Sequence, residues 1–139
     1  MNSNEVGAGI PHSLSGRELS ASLTVQNIEK SLAWYRDVLG FAPVQRYERE
    51  GKLIAVSLRA GDVRLLLTPD DGAKGEDRTK GAGSSLQITT EQNIDDLAKR
   101  ISEAGGVLES QPTDTAWGPR MFRLRDLDGF RFTISSIQV

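Results

Sequence analysis

An internal repeat is the sequence feature that most constrains how this chain can fold. The segment QNIE at residues 26–29 returns as QNID at residues 92–95, and the same offset of 66 residues carries Gly40 onto Gly106. Self-similarity at a fixed period indicates one supersecondary unit that occurs more than once. A unit of about 66 residues is too small to bury a stable core alone, so the two copies are expected to pack together.

The first copy begins with a strand and a helix. Side chains alternate between apolar and polar over residues 19–25, which is typical of a half-buried strand. Asn27 is a good N-cap, because its side chain can accept an amide of the first helical turn. An apolar stripe then continues at helical spacing to Gly40, which ends the helix. The apolar face of the strand is predicted to comprise Leu19, Ala21, Leu23 and Val25.

The second copy repeats this order. Alternation resumes at residues 85–89, a helix opens at residues 92–95 and ends at Gly105 and Gly106, and DLDG at residues 126–129 predicts a hairpin turn. Three strands complete each copy. They are expected near residues 42–48, 53–58 and 62–68 in the first copy and near 107–111, 120–125 and 130–136 in the second.

These elements predict an α+β fold of two tandem βαβββ modules. Each module alone would leave open sheet edges, so the copies are expected to form an eight-stranded, open, trough-like mixed sheet with helices outside. Residues 1–18 are predicted to be an N-terminal arm, and residues 19–137 a single domain. Module 1 covers about 19–69 and module 2 about 84–137. The glycine- and charge-rich linker 70–83 is either solvated or a lid over a ligand.

Composition excludes several classes of site and partner. The chain has 17 Lys and Arg against 19 Asp and Glu, a net charge of −2, whereas nucleic-acid and anionic-membrane surfaces carry a marked basic excess. It has no cysteine, which excludes thiolate chemistry, and a single histidine, His12, which cannot supply several imidazoles. No apolar run approaches the ~20 residues of a membrane span, and the start lacks a signal pattern. We expect a cytoplasmic protein without nucleic-acid or membrane partners.

Three stretches resemble the vicinal oxygen chelate superfamily, which includes glyoxalases, extradiol dioxygenases and bleomycin-resistance proteins. They are LTVQNIEKSLAWYRDVLGF at residues 23–41, WGPRMF at residues 117–122 and RDLDGF at residues 125–130. The second stretch is similar to the bleomycin-resistance-like branch. The resemblance covers about residues 19–137, and it implies paired modules, often dimerised, around a ligand trough.

The resemblance also implies where a divalent metal would lie. In the family's enzymes, His, Gln or Glu side chains of the first and last strands of each module hold it. Those positions fall here on Ser20, Leu66, Ser85 and Thr133. Neutral hydroxyls are poor ligands for zinc, iron, nickel or manganese, and leucine is no ligand. We therefore predict no metal and no cofactor, which would remove the Lewis acid that the family's enzymes use.

The strand face opposite the core predicts the wall of a ligand pocket. It is rich in hydroxyl and amide side chains, and an offset of 67 residues places Arg64 and Arg131 at repeated positions. Arginine can hold a carboxylate or phosphate and disfavours a cationic ligand; alternatively, both arginines are solvated or paired with acids. Trp117 would stack on a ligand ring or close the end of the core. The predicted ligand-binding residues are Ser22, Thr24, Arg64, Thr68, Ser85, Gln87, Trp117, Arg131 and Thr133.

Several functions stay open at this point. The residues favour a metal-free protein that binds a polar or aromatic small molecule in the trough, with no catalytic residue assigned. One alternative is a metal-dependent lyase, isomerase or dioxygenase with non-standard ligands; a metal-free enzyme with a tyrosine or carboxylate base is another. A third is a protein-interaction module. A homodimer is expected, since the resemblance implies dimers that join sheets or exchange arms, and the arm is long enough to reach a neighbour.

Overall fold

The computed structural model describes residues 13–73, 75 and 80–137. His12 and the rest of residues 1–12 of the predicted arm lie outside this part of the chain, as do residues 74 and 76–79 of the predicted linker. The described elements are, in order, β1 (Ala21–Val25), α1 (Ile28–Trp34), a π-helical turn (Tyr35–Leu39), β2 (Ala42–Arg49), β3 (Lys52–Ala60), β4 (Val63–Pro69), β5 (Leu86–Thr90), α2 (Ile94–Glu103), β6 (Leu108–Asp114), β7 (Arg120–Arg125) and β8 (Arg131–Ser136).

The strands form two mixed four-stranded sheets, one from each module. Sheet A has the order β1-β4-β3-β2 and sheet B the order β5-β8-β7-β6. In each sheet the first strand of the module runs parallel to the last, and the other pairs are antiparallel. The identical order confirms the predicted α+β fold of two tandem βαβββ modules, with the eight strands shared equally between two open sheets.

The two helices begin in the same way, as the repeat predicts. The side chain of Asn27 accepts the amide of Lys30 at 3.0 Å, and the side chain of Asn93 accepts the amide of Asp96 at 3.0 Å. Each asparagine thus satisfies one of the unpaired amides of a first helical turn. Gly40 ends the first helical segment in the left-handed conformation, with φ of 84°. Neither helix in the described residues is long and apolar enough to cross a membrane.

Both modules contribute to a single hydrophobic core. Tyr35, which is fully buried, joins them. Its ring makes edge-to-face contacts with Phe41 of module 1, at 5.8 Å between centroids, and with Phe132 of module 2, at 5.9 Å. Its hydroxyl donates a 2.6 Å hydrogen bond to Asp126 of module 2. Because this one side chain packs and hydrogen-bonds across the boundary, the modules are expected to unfold together.

The turn at residues 126–129 forms as predicted and does more than reverse the chain. Asp126 Oδ1 accepts the amides of Asp128 and Phe130 at 2.9 and 2.8 Å, and Gly129 has φ of 99°. In addition, Asp128 Oδ1 accepts the amide of Gln26 in module 1 at 2.8 Å. The turn therefore connects the last two strands of module 2 to the start of α1.

Two details differ from the sequence-based expectations. Leu19 was expected on the apolar face of the first strand, but β1 starts at Ala21, whose partner is Leu65, and Leu19 is 98% exposed. Leu19 lies beyond the pairing of β1 with β4 and so cannot reach the core. The predicted linker is not solvated throughout, because Lys80 is 7% exposed and its ammonium group lies 2.7 Å from the carboxylate of Asp70.

Candidate functional site

The face of sheet A opposite the core carries the four residues predicted for module 1. Leu23, Val25, Leu65 and Leu67 alternate into the core, so their neighbours point to the other side, which we call the polar face. Thr24 lies opposite Thr68 in the parallel pair of β1 and β4, and their hydroxyl oxygens are 3.5 Å apart. Ser22 and Arg64 are on the same face and are exposed.

The polar face of sheet B carries the equivalent residues of module 2. Phe132 and Ile134 of β8 pack in the core, so Arg131, Thr133 and Ser135 lie on the other side, where Thr133 and Ser135 are also buried, at 8% and 3% exposure. Ser85 and Thr133 are within hydrogen-bond distance at 3.4 Å, and Gln87 donates to the hydroxyl of Ser135 at 3.3 Å. Each of these hydroxyls thus has one side-chain partner, and a hydroxyl can take part in up to three hydrogen bonds.

The predicted residues therefore fall into two sets, one on each sheet. Within the part of the chain that the structure describes, no hydrogen bond or ion pair joins the four residues on sheet A to the four on sheet B. Trp117 lies in the loop between β6 and β7 and is 63% exposed. It therefore does not close the end of the core, and its contact with a ligand stays a prediction.

Arginines occur in pairs on both polar faces. In sheet A, Arg59 of β3 lies directly opposite Arg64 of β4. In sheet B, Arg125 of β7 lies directly opposite Arg131 of β8. Like charges at directly opposed positions of an antiparallel pair repel each other. A nearby anion would relieve this repulsion in either pair.

Glu109 of β6 supplies that anion in sheet B. Its carboxylate accepts a hydrogen bond from Arg125 Nε and lies 3.0 Å from Arg131 Nε. The hydrogen bond from Arg125, together with the charges of Arg125 and Arg131, lowers the pKa of Glu109 below its ordinary value. Of the two interpretations of Arg131, pairing with an acidic residue is therefore the one observed.

The four positions that hold a metal ion in the family's enzymes do not suit one here. Ser20 precedes β1, Leu66 lies opposite Ser22 on the polar face of sheet A, and the hydroxyls of Ser85 and Thr133 are directed at each other. Three neutral hydroxyls and one aliphatic side chain are not ligands that bind a transition metal tightly. Elsewhere in the described residues, no three His, Asp or Glu side chains converge in a cluster that could hold one.

A separate cleft of about 890 Å³ lies between the modules, away from both sets. Its walls are the end of the π-helical turn and the β3–β4 turn of module 1, together with β5 and α2 of module 2. None of the nine predicted ligand-binding residues lines it. Its lining is mixed, with apolar side chains such as Val38, Phe41 and Ile88 beside charged ones such as Asp37 and Arg100.

A buried group of charged residues was not predicted from the sequence. Lys80 donates to the carbonyl of Thr24 at 2.8 Å and forms ion pairs with Asp70, at 2.7 Å, and Asp128, at 3.4 Å. The side chains of Lys80 and Asp128 are almost completely buried. This group joins the linker, β1 and the turn of module 2, and it lies apart from the polar faces, so we assign it to stability.

Comparison with known proteins identifies the family. A family model described as the Glyoxalase/Bleomycin resistance protein/Dioxygenase superfamily matches residues 11–134. Among similar solved structures are TioX from Micromonospora sp. ML1, with 19% identity, coverage of 87% of this chain and 98% of that one, and a TM-score of 0.72, and a superfamily member from Sphaerobacter thermophilus, with 23% identity, coverage of 89% and 100%, and a TM-score of 0.68.

A third similar structure is the hypothetical protein SA1046 from S. aureus, with 23% identity, coverage of 88% and 95%, and a TM-score of 0.68. Identities at this level show a shared fold. No curated protein matches the chain significantly. The family model covers most of the chain, the module order agrees, and the structures align over nearly their full length. The chain therefore belongs to the glyoxalase/bleomycin resistance protein/dioxygenase superfamily.

Proposed function

We propose that this protein binds a small polar or aromatic molecule on its polar faces without the help of a metal ion, and that it acts as a receptor or sequestering protein. The supporting observation is the chemistry of those faces. They present hydroxyl, amide and guanidinium groups at repeated positions, while Ser20, Leu66, Ser85 and Thr133 stand where the family's enzymes hold their metal. Hydrogen-bonding groups of this kind recognise a ligand, whereas metal-assisted chemistry needs stronger ligands.

A thermal-shift screen with organic acids, aromatic compounds and antibiotics tests this function. A ligand present at 100 times its Kd adds about 2.7 kcal/mol to the free energy of unfolding, which raises the Tm of a domain of this size by roughly 10 °C. The rise should persist in EDTA. No stabilisation by any small molecule would favour an interaction module. Stoichiometric zinc, nickel, manganese or iron, found by elemental analysis, would favour the metal-dependent enzyme.

We further propose that the functional unit is a homodimer. The two polar faces belong to separate sheets, and a second copy would enclose a ligand between a sheet A of one chain and a sheet B of the other. The segment before β1 supports this arrangement, because Leu14 and Leu19 are 96% and 98% exposed. Two leucines so close together and so exposed are suited to packing against another chain.

Light scattering at micromolar concentration should give a particle of about 30 kDa, twice the 15.2 kDa of one chain. Leu14→Asp with Leu19→Asp should shift the protein towards the monomer, because a charge cannot be buried in an apolar contact without a partner. Val107→Asp changes an equally apolar and exposed residue far along the chain and is the matched control. A wild-type particle of one chain mass would contradict the dimer.

A further inference from the structure

The two sheets differ at one position beside their arginine pairs. In sheet B, the strand β6 has a bulge between Leu108 and Ser110, and the residue in that bulge is Glu109, which neutralises both arginines. In sheet A, the strand β2 has a bulge between Pro43 and Gln45, and the residue in that bulge is Val44. Both modules therefore have a bulge at this place, but the residue in it is valine in module 1 and glutamate in module 2.

The bulges occupy equivalent places in the two sheets. Pro43 pairs with Leu58, one residue before Arg59, and Leu108 pairs with Leu124, one residue before Arg125. Val44 and Glu109 therefore have the same relation to their arginine pair. Val44 is 56% exposed, so sheet A has an apolar side chain in solvent where sheet B has a carboxylate.

The pair in sheet A is neutralised only in part. Arg59 donates to the carbonyl of Gly61 at 2.7 Å, and Arg64 Nε lies 3.3 Å from the carboxylate of Glu18. Both side chains of that ion pair are about half exposed, at 53% and 52%. An ion pair so exposed to solvent contributes little, since water screens it. Glu18 precedes β1, so it can leave without disturbing the sheet.

We propose that Arg59 and Arg64 bind the carboxylate of a small organic acid, at the position that Glu109 occupies on sheet B, with the apolar part of the acid against Val44. This proposal rests on the proposed function and names its ligand class. The second module supplies the precedent within the same chain, because one carboxylate there serves two opposed arginines. A carboxylate placed between two guanidinium groups accepts charge-assisted hydrogen bonds from both, which the single exposed ion pair of Arg64 with Glu18 does not provide.

Benzoate is a suitable probe, since it combines a carboxylate with an apolar ring, and benzamide is its uncharged counterpart. Titration calorimetry should show one benzoate per chain and much weaker binding of benzamide. Arg59→Gln or Arg64→Gln should weaken benzoate binding about tenfold or more, because a charge-assisted hydrogen bond is lost. Arg49→Gln, at the other end of β2, should leave the affinity unchanged. Glu18→Gln should strengthen binding, since it removes the competing carboxylate.

Exchange of the bulge residues tests the equivalence directly. Val44→Glu should abolish benzoate binding, because the sheet then supplies its own carboxylate as sheet B does. Glu109→Val should raise the stoichiometry from one benzoate per chain to two. If Glu109→Val does not fold, Val44→Glu alone decides, because it adds a favourable ion pair at an exposed position.

The outcomes separate this proposal from the proposed function. Benzoate binding that is lost in Arg59→Gln, Arg64→Gln and Val44→Glu supports the carboxylate site. If benzoate does not bind the wild type, or binds it and these three variants with equal affinity, the carboxylate site is overturned, and the proposed function stands as long as some screening ligand binds. If neither benzoate nor any screening compound binds the wild-type protein, the carboxylate site and the proposed function both fail.

Discussion

Replacement of Lys80 by methionine is expected to lower the free energy of unfolding by roughly 3–5 kcal/mol, the usual effect of removing one partner from a buried ion pair. Lys80 is 7% exposed, and its ammonium group contacts the carboxylates of Asp70 and Asp128 and the carbonyl of Thr24. Methionine fills a similar volume but removes the positive charge that lies beside the carboxylates of Asp70 and Asp128. Urea unfolding, followed by circular dichroism at neutral pH, measures the loss.

Lys99→Met is the matched control, because Lys99 lies exposed on α2 and should change stability by less than about 0.5 kcal/mol. A triple variant that adds Asp70→Asn and Asp128→Asn to Lys80→Met should regain roughly 1–2 kcal/mol, since the two negative charges that faced the ammonium group are then gone. If Lys80→Met and Lys99→Met are equally stable, the buried ion pairs do not hold the linker against the two modules.

The repeat predicted most of the fold, for a physical reason. Three local signals occur twice in the same order: a helix N-cap, a glycine at the helix end, and strands in which apolar and polar residues alternate. Asn27 and Asn93 show this, since both cap their helices with a 3.0 Å hydrogen bond. How the eight strands are divided between two sheets is not a local property, and no pattern in the sequence indicated it.

Repeated residues do not always have repeated roles. Gly40 has φ of 84° and ends a helix, with open space where a side chain would be. Its counterpart Gly106 has an ordinary backbone conformation, but a Cβ there would lie 2.6 Å from Ile101 and 2.8 Å from Val38. Glycine is needed at one position for its conformation and at the other for space between the modules. The sequence alone cannot distinguish these reasons.

Part of the candidate site was visible in the sequence and part was overlooked. Alternation placed Ser22, Thr24, Arg64 and Thr68 on one face, and the structure agrees, because strand periodicity holds wherever one face is buried. Arg59 and Arg125 were missed, although they are separated by the same 66 positions as Gly40 and Gly106. Their pairing with Arg64 and Arg131 depends on the register between strands, and sequence periodicity within one strand does not contain that information.

The contacts between modules lay beyond sequence reasoning for a similar reason. Tyr35 was assigned to the buried stripe of the first helix, and the 126–129 segment to a turn, and both assignments are correct. Nothing in either pattern indicated that the Tyr35 hydroxyl would meet Asp126, because 91 residues separate them. The formation of the turn is a sufficient explanation for these residues, so their second role, in contact with module 1, was not predicted.

Replacement of Asp126 by alanine is expected to lower the free energy of unfolding by about 2–4 kcal/mol. Asp126 is buried and accepts three hydrogen bonds, from the Tyr35 hydroxyl at 2.6 Å and from the amides of Asp128 and Phe130. Alanine leaves a buried tyrosine hydroxyl and two turn amides without their acceptor. Asp126→Asn keeps an oxygen for the amides and an amide group for the hydroxyl, so it should retain most of the stability.

The same two variants make a prediction about pH. Burial raises the pKa of Asp126 above its ordinary value, although the Tyr35 hydroxyl and the turn amides act in the opposite direction. The folded protein therefore holds this proton to a higher pH than the unfolded chain, whose aspartates titrate near pH ~4. Linkage then requires that the stability contributed by the protonated group is complete below that pH and is lost as the pH rises through the folded pKa.

Asp126→Asn removes this titration, because asparagine is neutral throughout. The stability of Asp126→Asn relative to the wild type should therefore increase from pH 4 upwards and become constant once Asp126 has ionised in the folded protein. Urea unfolding of both proteins at intervals from pH 4 to pH 7 measures the difference, and subtraction cancels the exposed carboxylates that the two proteins share. A flat difference would mean that the hydrogen bonds to Asp126 balance its burial. A difference that falls as the pH rises would mean that they outweigh it, and that the contact between Tyr35 and Asp126 favours the ionised carboxylate.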